Sequence, residues 1–75
     1  MIVLRAFARY RDRLGFERME LPLPAPATLA ALLEDPRLAN LPREALFAVN
    51  QAFVDREAEL RDGDEVALMP PVSGG

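Results

Sequence analysis

The chain has 75 residues, of which 51% are apolar and 28% charged, and it contains neither cysteine nor histidine. This composition is typical of one globular domain and leaves no room for a second. The missing residue types exclude disulfide bonds, a Cys/His zinc site and a thiol or imidazole catalyst. We therefore expect no bound metal and no self-sufficient active site.

The net charge of −3 is unevenly distributed along the chain. Residues 1–18 hold five arginines and two acids, whereas residues 19–75 hold four arginines and ten acids. The acidic excess argues against nucleic-acid binding. It fits either docking on a basic protein surface or a solvated acidic face that keeps the protein soluble.

The apolar residues form no run long enough to cross a bilayer. The first residues also lack the apolar core of a signal peptide, because arginines interrupt them from Arg5 onward. We therefore expect a cytoplasmic protein without a membrane partner.

Two strands and a helical turn are predicted in the first part of the chain. Residues 2–8 alternate, with Ile2, Leu4, Ala6 and Ala8 on one face. Residues 10–14 form one helical turn closed by Gly15. Residues 16–23 form the second strand, whose two late prolines place it at a sheet edge.

The main helix is predicted to begin after Thr28, which is a good N-cap. Leucines at helical spacing form its apolar stripe: Leu29, Leu32 and Leu33. Pro36 cannot continue this helix from within. Asp35 and Pro36 instead suit the start of a second short helical turn.

Three strands are predicted in the second half of the chain. Residues 46–49 and 53–54 flank a turn at Asn50-Gln51, and residues 65–69 form the last strand with Val66 and Leu68 facing inward. Residues 60–64 form a turn with Gly63 at a positive φ. Asp62, Asp64 and Glu65 superficially resemble a calcium loop, but the further ligands are missing, which favours the turn.

The order β-β-α-β-β-β predicts an α+β protein with one main helix on a mixed sheet. It suits the β-grasp (ubiquitin-like) fold, in which the last strand lies beside the first. We expect residues 1–70 to form this domain and residues 71–75 to form an extended, flexible tail.

The tail is the most informative feature for function. Gly74 and Gly75 either form a frayed terminus or present the Gly75 carboxylate as a reactive group, which a thin glycine backbone would leave open to attack. Phe7 and Met69 fall on the outward faces of neighbouring strands in the expected fold. Near the start of the tail they would form an interface patch.

Four segments resemble one known family. They are residues 7–15 (FARYRDRLG), 50–54 (NQAFV), 62–67 (DGDEVA) and 70–75 (PPVSGG). The sequence is similar to the small subunits of molybdopterin synthase, which are ubiquitin-like sulfur carriers in molybdenum cofactor biosynthesis. Carriers of the thiamine pathway share the Gly-Gly ending but usually lack the preceding Pro-Pro-Val-Ser.

The resemblance implies a mechanism and a set of partners. An ATP-dependent activating enzyme would adenylate Gly75, and a persulfide sulfur donor would convert it to a thiocarboxylate. The tail would enter the large subunit of molybdopterin synthase, which supplies the acid–base residues, and give its sulfur to cyclic pyranopterin monophosphate. The implied tail residues are Pro70, Pro71, Val72, Ser73 and Gly74. Alternatives are a carrier for thiamine or tRNA thiolation, a ubiquitin-like protein modifier and an interaction module with an inert tail.

Overall fold

A five-stranded mixed sheet forms the centre of the computed structural model, which describes residues 1–71. Its strands are β1 (Ile2–Ala6), β2 (Arg18–Leu21), β3 (Leu46–Val49), β4 (Ala52–Val54) and β5 (Glu65–Met69). They lie in the order β2-β1-β5-β3-β4. Strands β1 and β5 are parallel and all other neighbours are antiparallel. The last strand therefore lies beside the first, and the predicted β-grasp fold is confirmed.

Three short helical segments accompany the sheet: α1 (Arg9–Leu14), α2 (Leu29–Leu32) and a 3-10 helix (Pro36–Leu38). The main helix expected from the leucine stripe is thus one turn long. Thr28 caps α2 as predicted, because its Oγ1 accepts a hydrogen bond from the Ala31 N–H at 3.2 Å. Asp35 starts the 3-10 helix by accepting from the Arg37 N–H at 2.8 Å.

Strand β1 ends two residues earlier than predicted, so Ala8 is not part of it. The Phe7 N–H still donates to the Leu68 carbonyl at 3.1 Å. Ala8 then adopts a φ of 53°, which turns the chain into α1. Strand β2 is also shorter than expected, but it does lie at an edge of the sheet.

A two-residue turn joins β3 to β4, as predicted. Asn50 and Gln51 have φ values of 50° and 71°, which is typical of a type I′ hairpin turn. The Asn50 Nδ2 donates to Asp64 Oδ1 at 2.9 Å, and its Oδ1 accepts from the Glu65 N–H at 3.0 Å. The hairpin is thereby tied to the turn that precedes β5.

The apolar core lies between the inner face of the sheet and the helical segments. The inward positions predicted for β1 and β5 are confirmed, because Ile2, Leu4, Ala6, Val66 and Leu68 are all buried. The core also takes residues from the helices and loops: Tyr10, Leu29, Leu32, Leu38, Ala45 and Leu60. Removal of this apolar surface from water is the main favourable term in folding.

Residues 55–60 close one side of the core by bonding to the start of α2. The Leu29 N–H donates to the Ala58 carbonyl and the Ala30 N–H to the Arg56 carbonyl, both at 2.9 Å. The Leu60 N–H donates to the Ala27 carbonyl at 2.8 Å. The bonds donated by Leu29 and Ala30, together with the Thr28 cap on the Ala31 N–H, use the N–H groups that a helix start otherwise leaves unpaired.

Candidate functional site

The tail root, which we define as Met69–Pro71, lies where β5 leaves the sheet. Because β5 runs parallel to β1, Met69 is at the same end of the sheet as Phe7. Pro70 and Pro71 end the strand as expected, since proline cannot donate to a ladder. The predicted tail residues Val72, Ser73, Gly74 and Gly75 lie outside the described residues.

The outer face of the sheet contains a groove of about 340 Å³ that begins at the tail root. Phe7 and Met69 both line this outer-face groove, so the structure brings the two predicted interface residues together. Phe53 forms another wall with 74% of its surface exposed, whereas Phe7 is 40% exposed. Leu46, which pairs with Met69 across β3 and β5, continues the apolar surface.

Small residues produce the depth of the groove. A row of cross-strand neighbours runs over the outer face from Arg5 through Ala67 and Ala48 to Phe53. Ala48 is only 5% exposed although it lies outside the inner core. Two alanines between larger side chains leave a hollow that a partner's side chain can fill.

Phe53 is a candidate site residue that strand patterning alone does not identify. The pattern predicts a strand at residues 53–54 but not which face of the sheet Phe53 occupies. The available signal was the two-residue turn at Asn50-Gln51, because such a turn pairs Ala48 directly with Phe53. A large aromatic residue opposite an alanine on a sheet face without a covering helix indicates an exposed apolar wall.

One charged pair borders the groove. Arg5 Nη1 lies 3.8 Å from Glu65 Oε2, and the Arg5 guanidinium carbon lies 5.8 Å from the centre of the Phe7 ring. The groove thus combines aromatic walls with one cation and one carboxylate.

A second, more open hollow of about 600 Å³ lies beyond Phe53, beside β3 and β4. Its lining extends to Asp55, Arg56 and Glu57 and includes neither Phe7 nor the tail root. The outer-face groove is therefore the better candidate for a surface that acts together with the tail.

Residues 60–64 form a turn before β5, as predicted. Gly63 has a φ of 91°, and the Asp64 carboxylate accepts hydrogen bonds from Asn50 Nδ2 and the Arg61 N–H. Asp62 pairs with the amino group of Met1. Among residues 1–71, no three His, Cys, Asp or Glu side chains converge as metal ligands require. The same part of the chain contains no helix that could span a membrane.

Comparison with known proteins gives matches along nearly the whole chain. Residues 4–75 match the ThiS family. The molybdopterin synthase sulfur carrier subunit of Escherichia coli K12 is 37% identical over 81 residues, which cover 100% of both chains. The subunit of the same name from Chlamydomonas reinhardtii is 39% identical over 77 residues, with 92% of each chain covered.

Solved structures agree with the fold. A putative molybdopterin converting factor subunit 1 from Pyrococcus furiosus is 30% identical, with a TM-score of 0.83 and coverage of 95% of this chain and 97% of that one. A complex of subunits 1 and 2 of the molybdopterin-converting factor from Helicobacter pylori contains a chain that is 27% identical, with a TM-score of 0.64 and coverage of 99% and 97%. SAMP1 from Haloferax volcanii is 25% identical, with a TM-score of 0.70 and coverage of 99% and 98%.

Proposed function

The chain belongs to the ThiS family, and from this membership we propose that it is a sulfur carrier that acts as the small subunit of molybdopterin synthase. The observation that supports this most strongly is the end-to-end similarity to molybdopterin synthase sulfur carrier subunits. The Pro-Pro-Val-Ser-Gly-Gly ending favours this pathway over the thiamine pathway. Residues 1–70 would then be the folded domain that the partner binds, and residues 71–75 would be the tail that carries the sulfur.

The reactive group in this proposal is the Gly75 carboxylate. On the activating enzyme it attacks the α-phosphorus of ATP, pyrophosphate leaves, and an acyl adenylate forms. The terminal sulfur of a persulfide donor then attacks the carbonyl carbon and displaces AMP. A second thiol attacks the donor's sulfur in the resulting acyl disulfide, forms a disulfide with the donor and releases the thiocarboxylate, a strong nucleophile that is anionic at neutral pH.

Sulfur transfer would take place inside the large subunit. Two thiocarboxylates in turn give their sulfur to cyclic pyranopterin monophosphate, and each Gly75 returns as a carboxylate. The chain contains no histidine or cysteine, so proton transfer and positioning fall to the partner. Pro70 and Pro71 fix two φ angles at the tail root and thereby lower the entropy lost when the tail is held.

We assign the docking of the large subunit to the outer-face groove. The groove adjoins the tail root, so one partner can cover the groove and receive the tail together. The Helicobacter pylori complex of subunits 1 and 2 supports an assembly of this kind. Exposed aromatic side chains that border a hollow are typical of the binding surfaces at the centre of protein interfaces.

Substitution in the groove tests the docking assignment. Phe7→Asp and Met69→Asp should each weaken binding of the large subunit at least tenfold, because a carboxylate would be desolvated against apolar surface. Leu23→Asp is the matched control, since Leu23 is also an exposed apolar residue but does not line the groove. Unchanged affinity of both groove variants in titration calorimetry would refute the assignment.

Intact-mass measurement tests the function itself. Incubation with activating enzyme, Mg-ATP and a persulfide donor should replace one oxygen of the chain by sulfur. Addition of the large subunit and cyclic pyranopterin monophosphate should reverse that change and produce molybdopterin. A variant without Gly75 should show neither step and retain the unfolding midpoint of the full chain. A thiocarboxylate that the large subunit does not consume would point to a different sulfur pathway.

A protein modifier is the second candidate, favoured by the similarity to SAMP1 of Haloferax volcanii. In that case a lysine amine of another protein attacks the activated Gly75 carbonyl and AMP leaves. The chain has no lysine, so it offers no side-chain amine for attachment of further copies. Trypsin last cleaves this chain after Arg61, so mass spectrometry of digested proteins from the native cell would then detect residues 62–75 attached to lysines of other proteins.

A further inference from the structure

Arg5 is a cation in the outer-face groove whose hydrogen-bonding capacity is not used. It lies on β1 between Arg18 of β2 and Ala67 of β5 in the cross-strand register. About 40% of its side chain is exposed, yet its Nε is buried and has no hydrogen-bond partner among residues 1–71. Arginine offers five N–H donors, and a buried donor without a partner is unusual in folded proteins.

The contacts around Arg5 position its guanidinium group but do not accept hydrogen bonds from its N–H donors. The 3.8 Å between its Nη1 and Glu65 Oε2 is too long for a hydrogen bond. The Phe7 ring lies 5.8 Å from the guanidinium carbon, which is within the range of a cation–π contact. The neighbouring Arg18 is occupied, because its Nη1 donates to Glu20 at 3.3 Å.

An apolar residue would suit this position better in the isolated protein. Leucine would pack against Phe7 and Ala67 and would leave no buried donor unpaired, a defect that destabilises a folded protein. The planar guanidinium is, however, well suited to a carboxylate, which it binds through two parallel N–H···O bonds. Nε is too buried for a partner to reach, but Nη1 and Nη2 are not buried and donate no hydrogen bond within residues 1–71, so these two groups can bind a carboxylate that arrives when the groove is covered.

We propose that Arg5 determines the register of docking by receiving a carboxylate side chain of the partner that covers the outer-face groove. This inference rests on the proposed function, in which that partner is the large synthase subunit. The acidic excess of residues 19–75 calls for a generally basic partner surface. On such a basic surface, a single carboxylate opposite Arg5 is an exception in charge. It can meet Arg5 in only one docked position of the two proteins, and that position is thereby selected.

The test compares Arg5→Leu and Arg5→Lys with the full chain, using titration calorimetry with the large subunit. Arg5→Leu should lower the affinity by about 10- to 100-fold, the range expected for loss of charged hydrogen bonds. Arg5→Lys should recover part of the lost affinity, because lysine keeps the positive charge but lacks the paired N–H donors of the guanidinium. The unfolding midpoint of free Arg5→Leu should be unchanged or higher, so that stability and affinity move in opposite directions.

A double-mutant cycle then identifies the carboxylate. Each interface Asp or Glu of the large subunit is changed to Ala and measured against the full chain and against Arg5→Leu. One of them should weaken binding to the full chain but have little further effect on Arg5→Leu.

Two outcomes would overturn the inference. The first is unchanged affinity of Arg5→Leu while Phe7→Asp still weakens binding, which would leave the docking assignment intact. The second is a lower unfolding midpoint of Arg5→Leu without coupling to any partner carboxylate, which would make Arg5 a structural residue. A different result would refute the docking assignment itself, namely unchanged binding of Phe7→Asp and Met69→Asp. The two failures can therefore be distinguished.

Discussion

The hydroxyl of Tyr10 is a single polar group left unpaired inside the core. Tyr10 is 1% exposed, and its hydroxyl has no hydrogen-bond partner in the part of the chain that the structure describes. Tyr10→Phe should therefore leave the free energy of unfolding unchanged or raise it by up to about 3 kcal/mol, since it removes an unsatisfied group and no packing. Urea denaturation measures this. A loss of more than about 1 kcal/mol would reveal that the hydroxyl is hydrogen-bonded in solution.

Asp35 and Arg37 form the one exposed pair in the described residues for which a clear pKa displacement follows from geometry. Arg37 donates to the Asp35 carboxylate through its side chain and its backbone N–H, and both bonds lower the pKa of Asp35 below the ordinary 3.8. Because the folded pKa is depressed, the contribution of Asp35 to stability is present at neutral pH. It is lost as the pH falls through the folded value.

Titration of the Asp35 carboxyl carbon by NMR measures this pKa directly. In Arg37→Ala the pKa should move back toward 3.8 but remain somewhat below it, because the backbone N–H of residue 37 still donates. An Asp35 pKa at or above 3.8 in the unmodified chain would contradict the assigned hydrogen bonds.

The β3–β4 hairpin contains a turn residue that fits its backbone conformation poorly. Gln51 has a φ of 71°, a region in which a residue with a Cβ is disfavoured and glycine is not. Gln51→Gly should raise the free energy of unfolding by about 0.5–1 kcal/mol, after allowance for the greater freedom of glycine in the unfolded chain. Thermal and urea unfolding of the two proteins provide the measurement.

The preceding turn residue supplies the control. Asn50→Ala should destabilise the fold by about 1–2 kcal/mol, because it removes the side-chain bonds to Asp64 and Glu65. Unchanged stability of Asn50→Ala would contradict the role given to its side-chain bonds, and a loss of stability in Gln51→Gly would contradict the argument from backbone conformation.

Element types could be predicted well because local chemistry decides them. The caps at Thr28 and Asp35, the turn at Asn50-Gln51 and the inward residues of β5 all follow from short sequence patterns. The end of β1 could not be predicted, since Ala8 continues the alternation of the strand. Its departure depends on how the chain must turn to bring Tyr10 into the core.

At the scale of the whole molecule, charge should govern the rate of association. The net charge of −3 and the acidic excess of residues 19–75 predict faster encounter with a basic partner at low ionic strength. The association rate constant should fall steeply as the Debye length shrinks from about 10 Å at 0.1 M salt to about 3 Å at 1 M, while the dissociation rate changes little. Stopped-flow mixing with the large subunit measures both rates, and a salt-independent association rate would contradict the prediction.

The candidate site could be predicted only in part, because it forms by strand pairing across the molecule. Phe7 and Met69 were found because each faces outward next to the tail root. Arg5 shares the face of Phe7 by alternation within β1. Phe53 joins them only through the register of β1, β5, β3 and β4, which brings it near Phe7 although the two residues are more than forty positions apart in the sequence. Hydrophobic alternation within one strand contains no information on that register.

The parallel contact between β1 and β5 has a consequence for the order of events during protein synthesis. The two central strands come from opposite ends of the sequence, so a growing chain can form only separate peripheral pieces until its last strand has been made. The complete sheet can form only after β5 has been made, and the segment that would receive sulfur follows β5 directly in the sequence. An enzyme that recognises the assembled sheet would therefore act on folded molecules and not on nascent or truncated ones. Activation of the tail would thus depend on completion of the fold.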